Sequence, residues 1–249
     1  MHTRTANTLG LWVGYRGYGL GYSVDLRNGG GYYFTIGATG GSYGINLRLR
    51  TYKSNMPDVH IYGQVNGNPV EERESADLDD PIRMRSLIID GYYLFNGRHF
   101  SYCAAYDQSC LQLRSAGSFM VGAMWHSSTI RYDSDPNAVF IAFMRDIGVI
   151  KIRQASIGVG YAYNWVPARG LLVSALAMPM LTVYNRQSVD LFDEYLTESL
   201  TTDNDFITYR ETMSFNSKMS VNFNARLSLT YNFSRYFINA YGQFSNMRY

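Results

Sequence analysis

Residues 219–233 read MSVNFNARLSLTYNF. Val221, Phe223, Ala225, Leu227, Leu229, Tyr231 and Phe233 are apolar without a break, and Asn222, Asn224, Arg226, Ser228, Thr230 and Asn232 between them are polar. A period of two describes a strand with one apolar and one wet face. The run is longer than an ordinary globular strand of roughly 5–6 residues. It also exceeds the roughly 9–11 residues that cross a bilayer as a tilted strand. It therefore predicts one stave of an all-β, transmembrane antiparallel β-barrel. A soluble β-sandwich or lipocalin-like barrel is the alternative, built from strands of ordinary length with the apolar face turned inward.

Composition agrees with a membrane barrel. The chain has 249 residues, of which 46% are hydrophobic, with 22 Tyr, 13 Phe and 23 Gly against 6 Pro. Wet inner residues offset greasy outer ones in such a barrel, so the whole reads as mildly polar. A net charge of +2 gives no basis for nucleic-acid binding, which needs a strongly basic face. No stretch approaches the ~18 uninterrupted apolar residues of a membrane helix. The N-terminal MHTRTANTLG has no apolar core of signal-peptide type. An outer-membrane protein needs one, so either the true start lies upstream or the chain is a trimmed form.

Working outward from 219–233, the same alternation recurs. Leu9, Leu11, Val13 and Tyr15, then Tyr18 to Leu26, read as a hairpin or as one long bulged strand. Tyr32–Ala38 and Tyr43–Arg50 follow, separated by Thr39-Gly40-Gly41-Ser42, with turns marked by glycine, as at Asn28–Gly31. Ile82–Phe95, Phe119–Trp125, Ala155–Trp165, Leu171–Tyr184 and Tyr236–Phe244 complete the set, the faces of Leu171–Tyr184 being ambiguous. Lys53–Asp80, Ser127–Lys151 and Asn185–Lys218 read as long loops, the second with a short helix or strand extension at Ala138–Met144.

This makes about ten visible strands in one domain spanning 1–249. Short connections sit at 16–17, 39–42, 96–114, 166–170 and 234–235, and long ones at the other end. In bacterial barrels short turns face the periplasm. Tyr15, Tyr18, Tyr43, Tyr93, Phe95, Tyr163, Trp165, Tyr231 and Phe233 cluster at the short ends, as an interfacial aromatic girdle does. Counting strands puts both termini on the outer side, whereas barrels close with both ends in the periplasm. The expectation is a missing strand at each end and about 12 strands in the complete protein, with no direct pairing of 9–15 to 236–244.

The runs GYRGYGLGYSVDL (14–26), YYLFNGRHFSYCAAYDQS (92–109), QLRSAGSFMVGAMW (112–125) and GVGYAYNWVPARG (158–170) carry a resemblance. They are similar to an uncharacterised Bacteroidota family of outer-membrane β-barrel proteins, known as a domain of unknown function. The resemblance spans most of the chain. It implies an outer-membrane location, an export signal and further sequence at both ends, but no activity, ligand or catalytic residue.

Three groups of residues are candidates for function. Asn46, Arg48, Arg50, Asn222, Asn224 and Arg226, with Asp25, describe a polar lumen of basic bias, suited to a narrow anion-preferring pore or to a lumen filled by side chains; Asp90 is a candidate partner for one of the arginines. Gln108, Gln112, Arg114, Ser115 and Ser118 lie on a periplasmic-end segment able to fold into the barrel mouth as a plug, or simply to cap it. Cys103 and Cys110 on that segment are compatible with a disulfide, unless a regular helix points them apart. His126 and Ser128 share a strand face, with Asp133 beyond. A His-x-Ser pair near a carboxylate resembles outer-membrane lipid deacylases, in which His is the base for a Ser nucleophile. The bland reading is a polar cluster at a loop edge. The four His, at 2, 60, 99 and 126, have no metal-ligand spacing, and no cofactor is expected. The sequence thus points to a non-enzymatic pore, structural or docking barrel in the bacterial outer membrane, with a deacylase or esterase as the alternative. Outer-membrane lipids and other envelope proteins are the expected partners.

Overall fold

Alternating strands of this kind can satisfy their backbone groups only against neighbours, and here they do so in one antiparallel meander. The computed structural model describes residues 8–26, 30–54, 58–65, 68–75, 78, 80–106, 110–195, 206–216, 220–233 and 236–246. The strands are β1 (Thr8–Tyr15), β2 (Tyr18–Asp25), β3 (Tyr32–Thr39), β4 (Tyr43–Ser54), β5 (Asp58–Val65), β6 (Asn68–Ser75) and β7 (Ile82–Leu94). They continue as β8 (Ala116–Arg131), β9 (Ile147–Ala168), β10 (Leu171–Tyr195), β11 (Phe206–Asn216), β12 (Val221–Phe233) and β13 (Tyr236–Asn246). Two short helices interrupt them, α1 (Tyr102–Tyr106) and α2 (Ala138–Phe143). No helix among the described residues is long and apolar enough to cross a membrane.

Eleven strands form one sheet in the order β1-β2-β3-β4-β7-β8-β9-β10-β12-β13, with β11 paired to β10 off that path. The ten strands on the path are those read from the sequence. Arg16–Gly17 makes a tight hairpin, so residues 9–26 form two strands. Both turn residues have positive φ, 49° and 86°, as a two-residue type I′ turn requires. Among the described residues no ladder joins β1 to β13, and both are edges.

Two of the long loops are largely strand. Residues 58–65 and 68–75 pair as β5 and β6 in a separate two-stranded sheet. β10 runs on past Tyr184 to Tyr195 and pairs with β11. The reason is visible in their partners. Lys151 Nζ bonds Asp190 at 2.6 Å, Thr212 donates to Asp190 at 2.7 Å, and Arg186 donates to Ser214 at 3.2 Å. Polar cross-strand pairs hold this arm, so it lacks the apolar alternation that marks a half-buried strand. In the third loop β8 continues to Arg131 and the apolar centre is α2, packed on Tyr132, Val149 and Phe192. The expected turns at Asn28–Gly29 and Ser234–Arg235, together with Met219, lie outside the described residues.

One face of the meander is a continuous apolar surface. Leu11, Val13, Leu20, Ile36, Ile45, Ile89, Val121, Ile157, Val159, Leu227 and Leu229 are exposed on it. At the short-turn end it is bounded by Tyr15, Tyr18, Tyr43, Tyr93, Phe95, Phe119, Tyr163, Trp165, Tyr231, Phe233 and Tyr236, all exposed. A second aromatic group bounds the other end. Trp125 stacks on Tyr184 at 5.9 Å, and Tyr22 on Tyr32 at 6.4 Å. On β8 six positions separate Phe119 from Trp125, and on β9 ten separate Trp165 from Ala155, the residue opposite Trp125.

Two measurements follow. At Gly17 a Cβ would collide with the Thr39 carbonyl and φ is positive, so Gly17→Ala lowers the urea midpoint of unfolding by the equivalent of about 1–3 kcal/mol. Burial alone would raise the Asp190 carboxyl, but hydrogen bonds from Lys151 and Thr212 and the charges of Lys151 and Arg131 hold it below 3.8 overall. A lowered carboxyl stabilises the fold above its unfolded pKa and loses that contribution as pH falls through the folded value. The β10–β11 arm therefore loosens in wild type below about pH 4, and Asp190→Asn removes that acid step in amide hydrogen exchange.

Candidate functional site

The opposite face of the sheet is tiered rather than uniformly polar. At the short-turn end, residues 95–106 and 110–115 leave the sheet and fold against this inner face. Phe100, Tyr102, Cys103, Ala104 and Ala105 are buried there. Arg226 of β12 donates to the Tyr102 hydroxyl, Ser228 donates to the Ala105 carbonyl at 2.9 Å, and Tyr102 packs on Tyr92 at 4.5 Å between ring centroids. Ala104 and Ala105 pack on Leu172. The segment is thus a plug seated on β10 and β12.

Gln112 holds the plug's return strand. Its Oε1 accepts from Ser101 N–H at 2.8 Å and from Asn164 Nδ2 at 3.2 Å, and its Nε2 donates to the carbonyls of His99 (2.7 Å) and Arg114 (2.9 Å). Asn164, fully buried on β9, also donates to the Ser101 carbonyl at 2.8 Å. Ser115 Oγ accepts from Val166 N–H at 2.9 Å, and Ser118 Oγ accepts from Asn96 N–H at 3.0 Å. Arg114 enters this network through its carbonyl alone, and its side chain is exposed; Gln108 lies outside the described residues. Cys103 is buried and Cys110 exposed, with no disulfide between them; Ser101 Oγ lies 2.8 Å from Cys110 Sγ.

Above the plug is an apolar tier that the polar reading of the lumen misses. Leu94, Met120, Met124, Leu176, Met178 and Met180 are buried around Phe100 and Tyr102. Next to it opens a cavity of 260 Å³ lined by the four methionines together with Arg48, Asp90, Asn224 and Arg226. Arg48 forms an ion pair with Asp90, and Asn46 Nδ2 donates to the same carboxylate at 3.0 Å. Arg50 is exposed and lines a separate, smaller hollow with Asp25 on the β2–β4 side. The lumen residues thus divide between these two places, except Asn222, which bonds Thr182 farther along the face. Met120 and Met124 sit at the inward positions between Phe119, Val121, Ala123 and Trp125, which is the signal that could have found them.

The third tier is polar and buried. Gln154, Ser220 and Asn222 donate to Thr182 Oγ1 at 3.1, 3.2 and 3.0 Å, and Ser156 Oγ lies 3.2 Å from the same oxygen. His126 and Ser128 belong here, both buried on β8. His126 Nε2 lies 3.2 Å from Ser86 Oγ of β7. Asp133 is held by Arg131 at 2.7 and 3.1 Å. The strand does put His126 and Ser128 on one face, but the hydroxyl brought to the imidazole is Ser86. Among the described residues no group of His, Cys, Asp or Glu is arranged to hold a metal ion.

Residues 2–249 match the family described as a domain of unknown function (DUF4421), and the chain belongs to that family. Comparison with curated proteins and with solved structures finds no match.

Replacing Gln112 by Leu keeps the bulk and removes four hydrogen bonds, leaving the Ser101 N–H and the Asn164 amide without that acceptor. Amide exchange should quicken by at least about tenfold at Ser101, because an unmet buried donor costs about 1–3 kcal/mol. Exchange in the β9–β10 ladder should not change.

Proposed function

We propose that this protein is a β-barrel of the bacterial outer membrane, in the phylum Bacteroidota. In this reading it is non-enzymatic and serves the envelope as a structural or docking barrel rather than as an open pore. The observation that carries the membrane reading is the exposed apolar band bounded at both ends by aromatic residues. Water would oppose such a surface, whereas hydrocarbon with Tyr and Trp at the headgroup level favours it. In hydrocarbon the two sheet edges must also be paired, since each unmet backbone group costs several kcal/mol there. The short turns then face the periplasm and the β10–β11 arm faces outward.

The inner face supports occlusion. Phe100, Tyr102 and the methionine tier occupy part of the section that an aqueous channel would leave open, and narrow the rest to a cavity of 260 Å³. The lipid-deacylase alternative draws no support from the polar tier, where Asp133 is bound to Arg131 and His126 faces Ser86.

Reconstitution of the full chain into vesicles tests both halves of the proposal. The protein should partition with the vesicles and protect β7–β10 from protease; a chain that stays soluble overturns the membrane reading. In planar bilayers the wild type should be silent, and Phe100→Ala combined with Tyr102→Ala should raise conductance. A wild type that conducts steadily overturns occlusion in favour of a pore. Ser128→Ala should leave any lipid hydrolysis by the preparation unchanged.

A further inference from the structure

Following each strand outward from the short-turn aromatics, the apolar face ends at a cation on five successive strands. From Tyr43, β4 reaches Lys53; from Tyr93, β7 reaches Arg85. From Phe119, β8 reaches Arg131; from Tyr161, β9 reaches Arg153; and β10 reaches Arg186 just past Tyr184. The pairing keeps these residues on the outward face: Leu87 is opposite Ser127, Ser127 opposite Arg153, and Arg153 opposite Arg186. The cations form a collar directly above the second aromatic group.

The carboxylates are distributed unevenly along this collar. Farther from the apolar band, Arg83 meets Asp80 at 3.2 Å, Arg131 meets Asp133 at 2.7 Å, and Lys151 meets Asp190 at 2.6 Å. Nearest the band, Arg85, Arg153 and Arg186 are exposed and have no carboxylate partner among the described residues. Arg153 and Arg186 stand directly opposite each other in the ladder. Like charges in that relation repel, and an anion between them relieves the repulsion. Between β7, β8 and β9 the same face holds a groove of 620 Å³, where Arg83, Arg85, Arg131 and Lys151 outnumber the carboxylates of Asp80 and Asp133.

We propose that this collar binds the phosphate groups of anionic lipid headgroups in the outer leaflet, the guanidiniums of Arg85, Arg153 and Arg186 making the contacts. The inference rests on the membrane reading above. Position decides between a lipid and a soluble phosphate, because the collar lies where strands leave the apolar band, at headgroup depth. Arginine suits the task, since its planar fork matches phosphate oxygens two at a time.

Native mass spectrometry of the full chain in zwitterionic micelles tests the assignment, with phosphatidic acid, phosphatidylcholine and inorganic phosphate as probes. Phosphatidic acid should bind at least about tenfold more tightly than phosphatidylcholine, and added salt should weaken it in the wild type, as expected of exposed charges. The variant with Arg85→Gln, Arg153→Gln and Arg186→Gln should lose about tenfold or more in that affinity. In lipid-free micelles its thermal midpoint should hold or rise, because a repulsion has been removed. Equal binding of the two lipids, or an unaltered triple variant, overturns the proposal. Competition by inorganic phosphate at the concentration of phosphatidic acid assigns the collar to a soluble anion and overturns it too. Insertion into vesicles is scored separately: a chain that inserts without phosphate preference defeats the collar alone, and one that fails to insert defeats both readings.

Discussion

The register of the antiparallel ladder is the constraint on which the rest depends. Successive side chains point to opposite faces, so a slip of one residue in any strand exchanges those faces. In β12 a slip would send Leu227 and Leu229 inward and aim Arg226 and Ser228 outward. Arg226 would lose the Tyr102 hydroxyl and Ser228 the Ala105 carbonyl, so the plug would lose its seat on β12. The apolar band, the aromatic groups, the plug and the cation collar are all consequences of one pairing scheme. Gly17 and the bulge between Thr182 and Tyr184 matter because they set that scheme locally.

The bulge shows the coupling most directly. Before it, Leu172, Ser174, Leu176, Met178, Met180 and Thr182 point inward on every second residue. One extra residue there places Val183 and Tyr184 both on the exposed side, after which Asn185 is buried and Arg186 exposed. Bulges bend and re-aim a strand and disrupt its ladder only locally, here at the unpaired Val183. The shift brings Tyr184 onto Trp125, opposite Ala155, and sets Arg186 opposite Arg153. A single irregularity thus supports the second aromatic group and juxtaposes the two arginines of the collar.

How much could be read beforehand follows from which residues alternate. β12 was legible over its whole described length because one face is apolar and exposed and the other is polar and turned inward. The outer half of β10 and its partner β11 were not legible, because polar pairs such as Thr212 with Asp190 and Arg186 with Ser214 interrupt the period of two there. The plug was legible as a break in alternation between His99 and Arg114, and Gln112 as a residue able to bond in several directions. Its partner Asn164 was visible only as an inward polar position, since the contact joins residues far apart in sequence. His126 is the reverse case. Local spacing suggested Ser128 as its partner, yet residues two apart on one face point the same way, and the hydroxyl it meets comes from the adjacent strand. The inner methionines were not legible because β8 and β10 carry apolar residues on both faces over this tier, which blurs the period of two.

The sheet's two edges share one chemistry. β1 turns Trp12 to the inner face, and a Cβ at Gly14, Gly19 or Gly21 would collide with its ring. Those glycines therefore let the indole lie flat across β1 and β2. On β13, Phe237 and Tyr241 occupy the positions opposite Asn232 and Ser228, on the inner face. All three rings are more than half exposed, at 60%, 52% and 73%. Inner-face rings elsewhere, such as Tyr102, are covered. Edges in water are tolerated when strands are short or charged, but β1 and β13 are apolar outside and aromatic inside. In a bilayer the unpaired amides of both edges would have to be met by strands. Pairing the edges and covering these three rings would then be a single event, since any strand that completes the ladder also narrows the space into which the rings project.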